Sequence, residues 1–349
     1  MKKLLLATTI IGASAGFAAA EITLSGDARM GILDDFGSAT DATFTSRARV
    51  KFTLSGESDT GFSFGADFRA DNAAAAASGT AGSVYISGAF GKLSMGDVDG
   101  AAQAAVGNVD GVGLTGLGDL NESYFLGAGG RQITTVVFGG IPSPTDPSQS
   151  VPLTGDPTAL YEYSNGGLGL YASVTKPNYS VSTGIGTYEG MAYALGAAYT
   201  MGDYKLSLGY ERLDFERVPP GGVDPYELDH VIVGADATFG AVTLKARYGS
   251  GNIDYAVSPG TPLYDFDQWA MSATYTQNGL SLTGYASNQH LTLPAGANSL
   301  EVSAMGLGAS YDLGGGAKVV GGIARRGTTT GAAAEVTDNA ADIGLSFSF

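Results

Sequence analysis

The stretch Ile343-Gly344-Leu345-Ser346-Phe347-Ser348-Phe349 decides how the rest of the chain is read. Side chains alternate across an extended strand with a period of two, so Ile343, Leu345, Phe347 and Phe349 share one face. Gly344, Ser346 and Ser348 share the other. One face is greasy and the other small and polar. The strand of a water-soluble sandwich would run on into a turn or a polar tail, whereas this one ends on an aromatic residue. An edge strand of a soluble β domain is the competing explanation, and the remaining sequence decides between them.

Composition narrows the choice. The chain has 349 residues, 54 Gly, no Cys and only 15% charged residues. Glu, Lys and Gln are too sparse to build amphipathic helices. Mean hydropathy is +0.09, yet no internal run approaches the roughly 20 apolar residues a membrane helix needs. Two architectures fit: a soluble all-β protein, or a transmembrane barrel in which only every second residue faces lipid. A formal charge of −16 excludes a nucleic-acid partner, which requires clustered Lys and Arg. Without Cys there are no disulfides, thiolate nucleophiles or thiolate metal sites.

Residues 1–20 have the form of a secretory signal peptide. Lys2-Lys3 is a basic start, Leu4 to Phe17 an apolar core too short to span a membrane, and Ala18-Ala19-Ala20 a small-x-small cleavage site before Glu21. Residues 21–349 are then expected to form a single β domain, and loss of Lys2 and Lys3 takes its charge from −16 to about −18.

From Glu21 onward strand follows strand. Ile22, Leu24, Met30 and Ile32 alternate with Thr23, Ser25, Asp27 and Arg29. The second strand, Thr43 to Gly56, sets Ala48, Val50, Phe52 and Leu54 against Arg47, Arg49, Lys51, Thr53 and Ser55. The third sets Phe62, Phe64, Ala66 and Phe68 against Ser63, Asp67 and Arg69. Paired runs then flank Asn165-Gly166-Gly167, Met201-Gly202-Asp203, Gly240-Ala241 and Gln277-Asn278-Gly279, which are hairpin signals. Sixteen strands are predicted, the last over Asn339 to Phe349. Short turns follow the even strands and longer polar loops the odd ones. That asymmetry, with an even strand count, fits an outer-membrane barrel with tight periplasmic turns and long extracellular loops. No four-strand blade motif of a soluble propeller is visible. One segment breaks the rhythm. Val98 to Pro157 is a third loop of about sixty residues, long enough to be functional or to hide short elements, with Gln132 to Phe138 as one candidate.

The chain resembles the sixteen-stranded Gram-negative general porins, in particular those of alphaproteobacteria of the Rhodobacter type. The matching residues are Glu21-Ile22-Thr23-Leu24-Ser25-Gly26-Asp27-Ala28-Arg29, Phe90-Gly91-Lys92-Leu93-Ser94-Met95-Gly96-Asp97 and the closing Leu345-Ser346-Phe347-Ser348-Phe349. The resemblance implies an all-β, sixteen-stranded antiparallel transmembrane barrel in the outer membrane, assembled as a homotrimer. It implies a third loop folded into the barrel, acidic against a basic wall, and a terminal Phe349 read by the barrel assembly machinery. Outer-membrane lipid, lipopolysaccharide, small hydrophilic solutes and ions are the partners it implies. This loop departs from the family by its length and by lacking the acidic Pro-Glu-Phe-Gly-type motif of the enterobacterial branch.

A lipid-facing Arg or Lys costs roughly 2–4 kcal/mol at the bilayer midplane. Arg29, Arg47, Arg49, Lys51 and Arg69 are therefore expected to face the lumen as a basic wall, which Lys245 and Arg247 extend. Asp97, Asp99, Asp110, Asp119 and Glu122 are the candidate constriction acids. The competing role for the arginines is to neutralise neighbouring carboxylates within the wall. Tyr193, Tyr199, Tyr204, Tyr210, Tyr248, Trp269 and Tyr275 fall on apolar faces near strand ends, as interfacial girdles require. Gly111-Val112-Gly113-Leu114-Thr115-Gly116 matches a dinucleotide-binding pattern, but no βαβ unit surrounds it. His230 and His290 have no nucleophile beside them, and no enzyme is expected. Asp97-Val98-Asp99 with Asp110 could take Ca²⁺ but lacks the ordered spacing of a calcium loop; no cofactor is expected otherwise. The expected function is passive diffusion of small hydrophilic solutes and ions. A substrate-selective outer-membrane channel, or a secreted β-rich adhesin without a channel, are the alternatives.

Overall fold

The structure is a computed structural model that describes residues 21–37, 42–72, 82–126, 131–132, 158–176, 181–183, 186–218, 227–254, 262–292 and 299–349. The candidate leader and most of the Pro-rich part of the third loop, including 133–138, lie outside these residues. Sixteen antiparallel strands form the wall: β1 (Glu21–Asp34), β2 (Thr43–Glu57), β3 (Ser63–Asp71), β4 (Ser83–Gly88), β5 (Gly91–Gly96), β6 (Thr158–Asn165), β7 (Leu168–Thr175), β8 (Gly186–Met201), β9 (Tyr204–Val218), β10 (Glu227–Phe239), β11 (Val242–Asp254), β12 (Pro262–Gln277), β13 (Leu280–Thr292), β14 (Leu300–Gly314), β15 (Ala317–Thr330) and β16 (Val336–Ser348). Each pairs with the next in sequence, and β16 returns to β1 with Met30 opposite Leu345 and Ile32 opposite Ile343. Closure leaves no sheet edge. Phe349 continues the pairing, its amide donating to Gly26 O at 2.9 Å.

Two-residue turns join most even strands to the next. Gly166 (φ 57°) and Gly167 (φ 90°), and Asn278 (φ 52°) and Gly279 (φ 81°), supply the paired positive φ values that a tight hairpin turn needs. Long connections sit at the other end, although the one after β15 spans only five residues, 331–335.

The wall is apolar outside. Ile22, Leu24, Val50, Phe64, Leu195, Leu206, Leu307 and Ile343 are all exposed, and Phe52 stacks on Phe68 with ring centroids 4.7 Å apart. In lipid this exposure is the solvated state, so the strand pattern places the greasy set where a soluble fold would bury it. Buried apolar residues lie inside, where the third loop meets the wall. Ala101, Ala102, Ala105, Val106, Phe125, Leu160, Ala194 and Ile232 form one cluster. Val109, Val112, Leu117, Leu120, Ala270, Tyr285, Ala304, Ala324 and Ala340 form the other.

Strand lengths are uneven. β8 to β16 run 13–16 residues, so several extend past the predicted bounds, which followed only the membrane-height alternation. β4 and β5 have six residues each, fewer than the 9–11 of an ordinary membrane strand. A further three-residue strand, Val181–Thr183, pairs with the start of β8 and carries no sequence signal.

Candidate functional site

The third loop leaves β5 and turns into the barrel. Ala101–Val106 form a helical turn, α1, bounded by Gly100 and by Gly107, whose φ of 66° ends it. The sequence Ala-Ala-Gln-Ala-Ala-Val has high helix propensity, a local signal for this element inside a segment without strand alternation. Glycines of the inner wall seat it: a Cβ on Gly209 would meet Ala102 Cβ at 2.7 Å, and one on Gly196 would meet Ala105 Cβ at 2.6 Å. Ser173 Oγ of β7 accepts from the Ala101 amide at 2.8 Å.

Beyond α1 the loop crosses β11 and β12. Lys245 Nζ donates to Asp110 Oδ1 at 2.6 Å, and Thr274 Oγ1 to Asp110 Oδ2 at 2.9 Å. Arg247 is buried, paired with Asp236 at 2.5 Å, and its Nε donates to Gly107 O at 3.0 Å. Lys245 and Arg247 thus anchor the loop. They do not continue the basic row of β1–β3, and Asp110 is committed to this side of the wall.

The tip reaches β16 and β1. Asp342, only 6% exposed, accepts from Leu114 N at 2.9 Å, Thr115 N at 2.6 Å and Thr115 Oγ1 at 2.7 Å. Arg29 Nη1 donates to Leu114 O at 3.1 Å. The glycine-rich run 111–116 is this tip. A Cβ on Gly322 would meet Gly113 N at 2.7 Å, so backbone lies on backbone, and the run permits close approach to the wall. Asp342 is not among the sequence-predicted site residues, although it stands on the face of β16 that carries Gly344, Ser346 and Ser348.

The chain then doubles back. Ser287 Oγ donates to Leu120 O at 2.6 Å, and the Gln289 amide lies 3.3 Å from Glu122 O. Tyr124 N donates to Gln268 Oε1 at 2.7 Å and Leu126 N to Glu211 Oε2 at 3.0 Å. Tyr124–Phe125 bridges in parallel to Arg131–Gln132. The described loop therefore lies along the inner wall from β7 round to β16 and β1.

The inward faces of β1–β3 carry the cation rows. Arg47 pairs with Asp27 at 2.8 Å, Arg49 with Asp71 at 3.0 Å, Arg69 with Asp71 at 2.6 Å and Lys51 with Asp67 at 2.7 Å. These side chains lie on the inward face, and four of the five are ion-paired within the wall. Among the loop acids, Asp97, Asp99 and Asp119 are exposed and Glu122 is half-buried. Asp99 keeps an exposed edge but is crowded by protein, and this enclosure, with Asp97 beside it, pushes its carboxyl above the usual range. Among the described residues no three His, Asp or Glu side chains converge as a metal site requires. All seven predicted girdle aromatics are exposed on the outer face.

A closed sixteen-strand wall with a loop seated inside it is the geometry on which the comparisons with known proteins bear. Residues 7–331 match the family model described as Gram-negative porin. The chain belongs to the Gram-negative porins. A porin of Rhodobacter capsulatus is 35% identical over 339 residues, covering 94% of this chain and all of that one. A solved porin structure is 32% identical with a TM-score of 0.68, over 94% of this chain and 100% of its own. The loop-deleted OmpT of Vibrio cholerae, 17% identical, has a TM-score of 0.64 over 95% of this porin and 100% of itself, a likeness of fold. This porin is accordingly an outer-membrane channel protein, in a family of channels rather than enzymes.

Proposed function

We propose that this porin is a passive diffusion channel whose opening lies between the inner loop and the strands β1–β3. The loop bonds to β7, β9, β11, β12, β13, β16 and β1, which leaves the cation rows of β2 and β3 facing open lumen. That asymmetry carries the proposal. Arg29, Arg47, Arg49, Lys51 and Arg69 then line one side of the opening, and Asp97, Asp99 and Asp119 the other. Opposed rows of charge orient water and polar solutes and disfavour apolar ones, which must displace ordered water. Five wall cations face three wall carboxylates, Asp27, Asp67 and Asp71. The three loop acids then leave the opening one positive charge short, which favours modest cation preference.

The protein works as a homotrimer in this proposal. The six-residue strands β4 and β5 leave the wall low on one side, and Phe64, Val84, Ile86, Leu93 and Met95 are exposed there. A neighbouring copy covers that side, while lipid and lipopolysaccharide meet the aromatic-edged remainder. Cleavage before Glu21 and recognition of Phe349 by the assembly machinery belong to the same proposal.

Planar-bilayer recording under a salt gradient tests it. Openings in groups of three with a cation-sided reversal potential are expected. Inserted, folded protein that never conducts would end the proposal.

A further inference from the structure

The return arm of the loop, residues 120–126, is held by a buried relay for which diffusion has no use. Glu211 of β9, His230 of β10 and Gln268 of β12 point inward and are 0%, 1% and 2% exposed. Glu211 and His230 are direct cross-strand neighbours. His230 and Gln268 are separated by β11, where Gly249 lies between them. A Cβ on Gly249 would meet His230 Nε2 at 2.6 Å and Gln268 Nε2 at 2.9 Å. The missing side chain lets the two touch.

The hydrogen-bond register admits one protonation state of the imidazole. Gln268 grips the Tyr124 peptide at both ends: Oε1 accepts from Tyr124 N at 2.7 Å, and Nε2 donates to Tyr124 O at 2.8 Å. That fixes which end of the amide is nitrogen. The same Nε2 lies 3.0 Å from His230 Nε2, which must therefore present a lone pair. The imidazole proton sits on Nδ1, which donates to Glu211 Oε2 at 3.0 Å. Glu211 Oε2 also accepts from Leu126 N at 3.0 Å. The docked arm thus takes a neutral His230. The rings of Phe125 and Phe266, with centroids 6.2 and 5.1 Å from the imidazole, pack around it. Among the described residues, Glu211 is the titratable group that faces it.

We propose that His230 is a proton-sensitive latch that docks the inner loop at Tyr124 when neutral and releases that point of the loop in acid. A second proton on Nε2 sets N–H against the NH₂ of Gln268. The amide must flip to accept from it. Both ends of the Tyr124 peptide then face like partners, N–H against NH₂ and C=O against C=O, and both bonds to the arm are lost. Docking by this register is complete where the imidazole is neutral and is lost where it takes the second proton. Gln268 and His230 are positioning residues here; neither faces the proposed opening.

The experiment uses full-length protein in planar bilayers between pH 7.5 and 5. Wild type is expected to conduct steadily at the upper pH and to fluctuate between current levels at the lower. His230→Gln places a neutral amide whose oxygen can accept from Gln268, and should conduct steadily at both. Gln268→Glu offers a carboxylate to the imidazolium, and should move the onset of fluctuation to higher pH. An unchanged acid response in His230→Gln, no acid response in wild type, or no upward shift in Gln268→Glu overturns the latch. Hydrogen exchange on wild type alone is the second measurement. The exchange rate at Tyr124, relative to Ala104 and Val106, should rise roughly tenfold with acid for the loss of its two hydrogen bonds to Gln268. A constant ratio refutes it. Steady neutral-pH conduction tests the diffusion channel separately.

Discussion

Replacing Asp342 with Asn perturbs the loop tip without touching the barrel ladder. Asp342 accepts three hydrogen bonds, from Leu114 N, Thr115 N and Thr115 Oγ1. An Asn keeps one acceptor oxygen and sets an NH₂ against the remaining donors. The Thr115 hydroxyl can rotate away; the Thr115 amide cannot. Stranding one buried amide costs about 1–3 kcal/mol, and weakening a charge-assisted bond to a neutral one costs about another 1 kcal/mol. The docked tip should therefore lose about 2–4 kcal/mol, or roughly 30- to 700-fold in its docked-to-free ratio. Arg29 to Leu114 O and the seat on Gly322 remain, so the tip becomes mobile and stays tethered. Liposome swelling with sugars of increasing size is the assay, with single-channel noise beside it. A higher size limit and noisier open state are expected, with unchanged heat-dependent gel mobility because β16 still pairs with β15 and β1. If exclusion limit, noise and Thr115 amide protection all match wild type, Asp342 does not hold the tip.

Three further predictions concern charge and seating. Arg49→Gln with Arg69→Gln leaves Asp71 without its two partners, and the reversal potential under a salt gradient should move toward stronger cation preference. Gly209→Val brings side-chain atoms onto Ala102, where even a Cβ lies within 2.7 Å. Overpacking of this kind costs about 1–3 kcal/mol, and should appear as faster exchange of the α1 amides in a barrel that still resists unfolding in detergent. Asp99, held above the usual carboxylate range by enclosure and then by Asp97, binds a proton more readily in the folded protein than in the unfolded chain. On acidification it loses charge above about pH 4, the ordinary value for Asp, and that protonation relieves a cost to the fold. Cation preference should start to fall over that interval, and Asp99→Asn should abolish this part of the fall while leaving the noise of the His230 latch in place.

The barrel was legible in the sequence because its signal is local. Met30, Val50, Leu195 and Ile343 belong to runs whose period of two needs no knowledge of partners, and Asn278-Gly279 marks its turn by backbone geometry alone. The loop's path was not legible, since its contacts join residues as distant as Thr115 and Asp342. Asp110 is one case: as a loop acid it looked equivalent to Asp99, yet Lys245 and Thr274 hold it on the far wall. Lys245 and Arg49 likewise read alike as inward cations, and only the fold separates an anchor of the loop from a residue of the open side. His230 gave no signal beyond its rarity, because the Gln268 it meets lies across an intervening strand.

Side-chain size on the inward face nevertheless records where the loop must lie. Gly196 and Gly209 leave the wall thin under α1, and Gly308 and Gly322 do so under the tip, where a Cβ would strike Val112 or Gly113 at 2.7 Å. β2 and β3 instead place Arg47, Arg49, Lys51 and Arg69 inward, and these need space and water. A loop laid over β2 and β3 would have to bury those charges, and burial of a charge is costly even when it is paired. A loop laid over the glycine-bearing strands buries apolar surface and the charged side chains Arg247, Glu211 and Asp342, each hydrogen-bonded to the loop. The chain therefore directs the loop to one side of the barrel and keeps the other open. Enlarging the glycines should displace the loop, whereas neutralising the arginines should change what passes beside it.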